Sequence, residues 1–141
     1  MHFVTGGAYN GKAKWVRNYY SEEAPVQWIS AYRGEALPFD FDEGLVVLQG
    51  VEMWLRNEVQ QQTAATIRMK WQEIIKRWRI WEEEKKTRCC IIIGADITKG
   101  IVPIEAYDRT WRDASGWVFQ DIAAASNRVD IIWYGIAQQV K

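Results

Sequence analysis

Short apolar runs alternate along this chain with longer segments whose apolar residues recur every three or four positions. The runs, at residues 2–5, 26–30, 45–49, 89–94 and 129–134, predict strands. Several are continuous rather than alternating, as strands covered on both faces are. Helical spacing predicts helices over residues 11–20, 51–62, 64–85 and 104–125. In chain order the elements read β-α-β-β-α-α-β-α-β, with helices available as crossovers between strands. That order predicts a three-layer α/β/α fold around a mostly parallel sheet of about five strands. Ligands of such sheets bind beyond the carboxyl ends of the strands.

The longest helical segment sets Ile67, Trp71, Ile74, Ile75, Trp78 and Trp81 on one stripe. Arg68, Lys70, Glu73, Lys76, Arg77 and Arg79 lie mostly on its other faces. Two destinations suit the stripe: the protein's own core, or a subunit interface, where tryptophan is favoured. Nine tryptophans are spread along the chain without an internal repeat.

Composition narrows the picture. With 141 residues, the chain is expected to form one domain spanning 1–141 with a proper core. A hydrophobic content of 48% and three prolines indicate a globular chain rather than a disordered one. Lysine plus arginine balances aspartate plus glutamate, so no basic field points to nucleic acid. No apolar stretch is long enough to span a bilayer, and the N-terminal one runs straight into glycines instead of forming a signal peptide. The expected compartment is the cytoplasm. Cys89 and Cys90 open a strand-like run and are expected as buried thiols, not as a disulfide or a metal site. A single histidine, His2, leaves no material for a histidine-rich metal centre.

Chemistry concentrates first in Gly6-Gly7-Ala8-Tyr9-Asn10-Gly11-Lys12-Ala13, between the first predicted strand and the first predicted helix. This is G-x-x-x-x-G-K, the pattern of a P-loop. Its glycines let backbone N–H groups curl around phosphate oxygens, the helix N-terminus adds its dipole, and the lysine reaches the β- and γ-phosphates. The expected architecture is therefore P-loop NTPase-like, with Gly6 through Ala13 as the phosphate-binding residues. Ala13 stands where a Ser or Thr hydroxyl normally holds Mg²⁺. An ordinary strand-to-helix turn would also use glycines for tight geometry.

A second place is the segment after the 89–94 strand, Gly94-Ala95-Asp96-Ile97-Thr98-Lys99-Gly100-Ile101-Val102-Pro103. A carboxylate just past a buried strand, here Asp96, is well placed to meet a ligand. Lys99 and Gly100 make a cationic loop before a proline-started helix. A plain surface loop with an Asp turn is the alternative.

With these segments in order, the chain resembles the bifunctional adenosylcobinamide kinase/adenosylcobinamide-phosphate guanylyltransferase family of cobalamin biosynthesis. Phe3-Val4-Thr5-Gly6-Gly7-Ala8-Tyr9-Asn10-Gly11-Lys12 resembles that family's V-T-G-G-A-R-S-G-K-S. Gly100-Ile101-Val102-Pro103 resembles its G-I-V-P, and Arg109-Thr110-Trp111-Arg112-Asp113-Ala114-Ser115-Gly116 its R-x-[FY]-R-D-x-x-G, followed by Gln120. Val129-Asp130-Ile131-Ile132-Trp133-Tyr134-Gly135-Ile136 is similar to V-x-[LF]-V-V-x-G-[LI]. Residues 46–48 and Met53-Trp54-Leu55-x-Asn57 resemble the central strand and the helix after it.

The resemblance implies GTP or ATP as the nucleotide, a corrinoid substrate and a homo-oligomer, a trimer in the family. It implies phosphorylation of the aminopropanol hydroxyl of adenosylcobinamide, then GMP transfer through a guanylylated histidine. By resemblance Gly6, Gly7, Gly11 and Lys12 bind phosphates, Asp96 takes the place of an acidic loop residue, and Arg112 sits near the nucleotide. Lys12, Asp96 and Arg112 are thus the candidate catalytic residues.

Four departures bear on activity. Ala13 cannot ligate Mg²⁺, and Gln49 ends the central strand where the family carries a carboxylate. Asp96 is one methylene shorter than the family's Glu and follows Ala95 where the family has Asn. The connection over residues 30–44 is short and holds no histidine. His2 cannot substitute: four residues before Gly6, at about 3.3 Å each, it lies roughly 13 Å away towards the wrong end of the sheet. Asp40, Asp42 and Glu52 are carboxylates that could relocate a metal ligand. Three readings stay open: a kinase-like enzyme with Mg²⁺ held unconventionally, a non-catalytic nucleotide- or phosphate-binding module for regulation or assembly, and a purely structural oligomer whose site is vacant.

Overall fold

The computed structural model describes residues 1–22, 26–42 and 44–141; position 43 of the predicted 30–44 connection lies outside them. Its elements are β1 (His2–Gly6), α1 (Lys12–Tyr19), β2 (Val26–Ser30), β3 (Leu45–Gln49), α2 (Val51–Glu58), α3 (Ala64–Glu83), β4 (Cys89–Ala95), α4 (Ala106–Ala125), β5 (Arg128–Trp133) and β6 (Ile136–Gln139). A single 3₁₀ turn, Ala31–Arg33, follows β2. The strands form one sheet in the order β2-β3-β4-β1-β5-β6, parallel throughout except where β6 runs antiparallel to β5. This is a P-loop-like α/β fold.

Alternation along the central strands explains the layering. Phe3, Val46, Leu48, Cys90 and Ile92 face one side, where they join Leu55 of α2, Ile67, Trp71 and Trp78 of α3, and Val118 and Ile122 of α4 in one buried cluster. Val4, Val47, Ile91, Ile93 and Ile132 face the other side, with Val16 of α1. Both faces of β1, β3 and β4 are covered, so these strands read as unbroken apolar runs. Burying a Leu- or Ile-sized side chain contributes about 1.5–3 kcal/mol, which makes these three strands the strongest folding signal.

The sheet has six strands, one more than the sequence predicts. The missed strand, β6, is a partly covered edge whose Ile136 side chain stays largely in solvent. Its signal is the turn: Tyr134 and Gly135 both take positive φ, 51° and 76°, and Trp133 pairs with Ile136. That is a two-residue hairpin of the primed kind, with glycine at its second position.

The tryptophan stripe faces the protein's own core. Trp71 and Trp78 are fully buried, and Trp81 packs partly buried beside them. The indole nitrogens of Trp71 and Trp78 also act as tethers. Trp71 Nε1 donates to Glu58 at 2.9 Å and Trp78 Nε1 to the Pro38 carbonyl at 3.2 Å. Helix α3 starts where the Thr63 hydroxyl caps the Thr66 N–H. It is locked to α4 by a two-pronged Arg68–Asp121 pair, both contacts at 2.8 Å. Cys90 is buried and Cys89, expected to be buried too, is partly exposed at the start of β4; neither forms a disulfide.

Candidate functional site

The carboxyl ends of β1, β3 and β4 open onto a cavity of about 510 Å³, within the usual range for small-molecule sites. The turn after β1 forms one wall. Gly6 takes φ 140°, and a Cβ there would stand 2.4 Å from the Ile132 carbonyl oxygen, so the strand can leave the sheet at this point only as glycine. Tyr9 is left-handed at φ 59° and its ring is fully exposed at the mouth. Gly11, left-handed at φ 86°, is the N-cap of α1 and offers no side-chain cap. The first N–H groups of α1 therefore point at the cavity without a side-chain partner.

Of the phosphate-loop residues expected from sequence, Ala8, Tyr9, Gly11, Lys12 and Ala13 line this cavity. Lys12 is buried and its Nζ donates to the Gly7 carbonyl at 2.7 Å. Burial pushes the Lys12 ammonium below the ordinary lysine pKa, and the charge of Glu52 works against that shift. Asn10 lies at the back of the loop. Its carbonyl accepts the Gly135 N–H at 2.8 Å, and its Oδ1 faces the Tyr134 N–H at 3.4 Å. The β5–β6 turn thus braces the loop from outside.

Asp96 and Arg112 stand apart from the lining residues. Asp96 Oδ1 accepts from the Thr98 N–H at 2.9 Å and from the Thr98 hydroxyl at 2.6 Å, folding its own loop into an Asp turn. Its backbone N–H donates to the Gly6 carbonyl at 2.9 Å, which ties β4's exit to the phosphate loop. Lys99 stands 3.9 Å from Asp96 and lies over the Trp133 ring. Arg112 is half-buried on α4, next to Trp111, which does line the cavity.

Sequence reasoning left three carboxylates open as inward candidates, and only one of them faces the site. Asp40 is exposed and paired with Arg77 at 2.6 Å, and Asp42 is exposed. Glu52, in the first turn of α2, is 2% exposed and lines the cavity. Its Oε2 accepts the Ala95 N–H at 2.9 Å and its Oε1 accepts a short hydrogen bond from the Tyr32 hydroxyl. Burial first, then this hydrogen bond and the carboxylate's charge, hold the Tyr32 phenol well above its ordinary pKa, so it remains the donor.

Tyr32, Met53, Ile97 and Trp111 complete an apolar and aromatic wall to which sequence reasoning assigned no site role, although Met53, Ile97 and Trp111 fall in segments it marked. They come from a 3₁₀ turn, two helices and a loop, and no spacing links them. Trp111 Nε1 donates to the Glu52 carbonyl at 2.7 Å, so α4 also fixes the start of α2.

The residues do not fit the usual Mg²⁺ position of a P-loop. Ala13 ends in a methyl group, and the Gln49 Oε1 accepts the Trp28 indole N–H at 2.8 Å. Among the described residues no group of three His, Cys, Asp or Glu side chains converges on a metal position.

The lone histidine is at the far end of the sheet. His2 is buried, with Nδ1 2.6 Å from the Tyr20 hydroxyl and Nε2 2.7 Å from Asp130 Oδ2. Arg128 Nε reaches the same Asp130 oxygen at 2.5 Å. Among the described residues no helix is long and apolar enough to cross a membrane.

No curated protein matches the chain significantly. A family model does match, over residues 34–140, a span that takes in β3, α2, the 96–105 loop and α4 and leaves out the glycine loop. That model describes cobinamide kinase / cobinamide phosphate guanyltransferase, and the chain belongs to this family.

Proposed function

We propose that this protein keeps the kinase half of its family's chemistry and has lost the guanylyl-transfer half. Family membership places it with the cobinamide-kinase-like and guanylyltransferase-like proteins of cobalamin biosynthesis. In this reading residues 1–141 act as one cytoplasmic nucleotide-binding domain. GTP or ATP sets its phosphates on the loop from Gly6 to Ala13, and Lys12 leaves the Gly7 carbonyl to meet the β- and γ-oxygens. The acceptor in this reading is the hydroxyl of a corrinoid's aminopropanol arm, by membership of the family.

One observation carries the reading: the buried Lys12 ammonium and the open N-terminus of α1 face the same cavity at the carboxyl ends of the strands. The loss of guanylyl transfer is supported by His2, the chain's single histidine, whose two ring nitrogens are both engaged at the opposite end of β1.

Binding calorimetry with GTP and ATP, followed by phosphate transfer to adenosylcobinamide, tests the proposal. Lys12→Ala is expected to weaken nucleotide binding by at least about 100-fold, the loss of a charge-assisted contact in a buried site. No turnover by the unchanged protein above a protein-free blank would remove the kinase reading. Gln49, whose amide oxygen is already taken by Trp28, favours a second reading, a nucleotide- or phosphate-binding module without turnover. Tight binding, insensitive to a chelator and without product, would establish that one instead.

A further inference from the structure

Among the described residues that line the cavity, Glu52 is the one carboxylate, and it shares the cavity with Lys12. Its burial is nearly complete, yet its two oxygens meet very different partners. Oε2 is held by a backbone N–H of β4, a fixed contact that sets the carboxylate's position. Oε1 is met by a phenol on a side chain that is 55% exposed and carried by a single 3₁₀ turn. One oxygen is anchored, and the other faces a hydroxyl that can leave.

A second observation concerns how that hydroxyl gets there. The Tyr32 ring lies over Gly50, where an added Cβ would stand 3.0 Å from Tyr32 Cε2. Gly50 takes φ 88° and caps α2, and its lack of a side chain leaves room for the ring to reach into the cavity. A structural role alone would be served by the anchored oxygen, which already joins α2 to the end of β4. It does not call for a hydroxyl from a half-exposed side chain on the other.

We propose that Glu52 is the catalytic base of phosphoryl transfer in this cavity, and that the Tyr32 hydroxyl marks the place taken by the acceptor's hydroxyl. The inference rests on the kinase reading above. When an acceptor alcohol enters, Tyr32 swings outward and the alcohol donates to Glu52 Oε1. As the alcohol oxygen forms its bond to the γ-phosphorus of a nucleoside triphosphate, its proton passes to the carboxylate. The bond from the γ-phosphorus to the β,γ-bridging oxygen breaks, and its electron pair leaves with the nucleoside diphosphate. Glu52 returns the proton to water after the phosphorylated product departs. Position 52 thereby places a carboxylate three residues beyond position 49, where the strand itself ends in an amide.

Three proteins decide the matter, with adenosylcobinamide as acceptor and GTP as donor: the unchanged chain, Glu52→Gln and Tyr32→Phe. Glu52→Gln keeps the shape and, through its one carbonyl oxygen, the contact from the Ala95 N–H, while its NH2 can donate to the Tyr32 oxygen. It is expected to lower kcat by about 100-fold or more while GTP affinity changes by less than about fivefold. Tyr32→Phe removes the competing hydroxyl and is expected to lower the acceptor KM several-fold. A Glu52→Gln protein that melts like the unchanged chain and keeps kcat within about threefold overturns the inference. If Glu52→Gln does not fold, Tyr32→Phe decides alone, and an acceptor KM that stays put or rises overturns it. Absence of turnover by the unchanged chain is a separate result: it removes the kinase reading, and this inference with it.

Discussion

At Gly6 the backbone leaves the sheet with φ 140°, under the Ile132 carbonyl oxygen of the neighbouring strand. Any side chain there is both strained and blocked by backbone, so Gly6→Ala is expected to cost about 2 kcal/mol or more, read as a shift in a denaturant midpoint. A second residue-scale prediction concerns acid. Burial lowers the His2 pKa below 6.5, against the pull of Asp130. A pKa lowered by folding means that the native state resists the proton. The stability tied to His2 is therefore complete above pH 6.5 and is lost as pH falls through the native value. Burial also works to raise Asp130, but its hydrogen bonds and charges with Arg128 and His2 outweigh that and hold it below 3.8. The loss from Asp130 therefore comes only at more acid pH. Melting temperature should drop between pH 7 and pH 5, and His2→Gln should flatten that slope; equal slopes would clear His2 of the effect.

At the scale of elements, the hairpin of β5 and β6 does more than extend the sheet. Its Gly135 N–H holds the Asn10 carbonyl, and a Cβ on Gly11 would come within 3.4 Å of the Gly135 Cα. Gly135→Pro removes that N–H and forbids the positive φ. Nucleotide affinity, by calorimetry, is expected to fall about tenfold or more, while the sheet's far-ultraviolet signature is kept. Unchanged affinity would show that the loop keeps its shape unaided. This hairpin is also where sequence reading stopped short. Strands β1, β3 and β4 were legible because burial on both faces leaves an unbroken apolar record. Strand β6 buries little, and its Ile-Ala-Gln-Gln leaves almost none. The helices were legible in kind but run shorter than predicted. Helix α2 ends at Glu58 rather than 62, α3 at Glu83 rather than 85, and α4 starts at Ala106 rather than 104. Polar positions at their ends keep the helical spacing after the hydrogen bonding has stopped.

For the molecule as a whole, the phosphate loop could be read from glycine spacing, because its geometry is local. The opposite wall could not. Tyr32, Glu52, Ile97 and Trp111 meet only through the crossing of β3, β4 and α4, and Glu52 looked no different in sequence from the exposed Asp40 and Asp42. The buried tryptophan stripe leaves any oligomer to be built from other surfaces, among them the exposed Ile101, Ile104 and Ile136 side chains. The chain's lone histidine yields one more whole-molecule prediction. Incubation with GTP labelled in its α-phosphate is expected to give no acid-labile GMP adduct on the protein, as seen by mass spectrometry; an adduct on His2 would contradict the placement of its ring nitrogens.

The brace between Asn10 and the Tyr134–Gly135 turn joins positions 124 apart in sequence. The loop is thus among the earliest parts of this fold to leave the ribosome and among the last to be completed. Until β5 and β6 are in place it has glycines but no outer support, and the loop-closure cost for so distant a contact falls late in folding. A nucleotide that waits for that contact reports on the finished protein. Its binding energy adds to the stability of all the structure enclosed between the two ends of the brace.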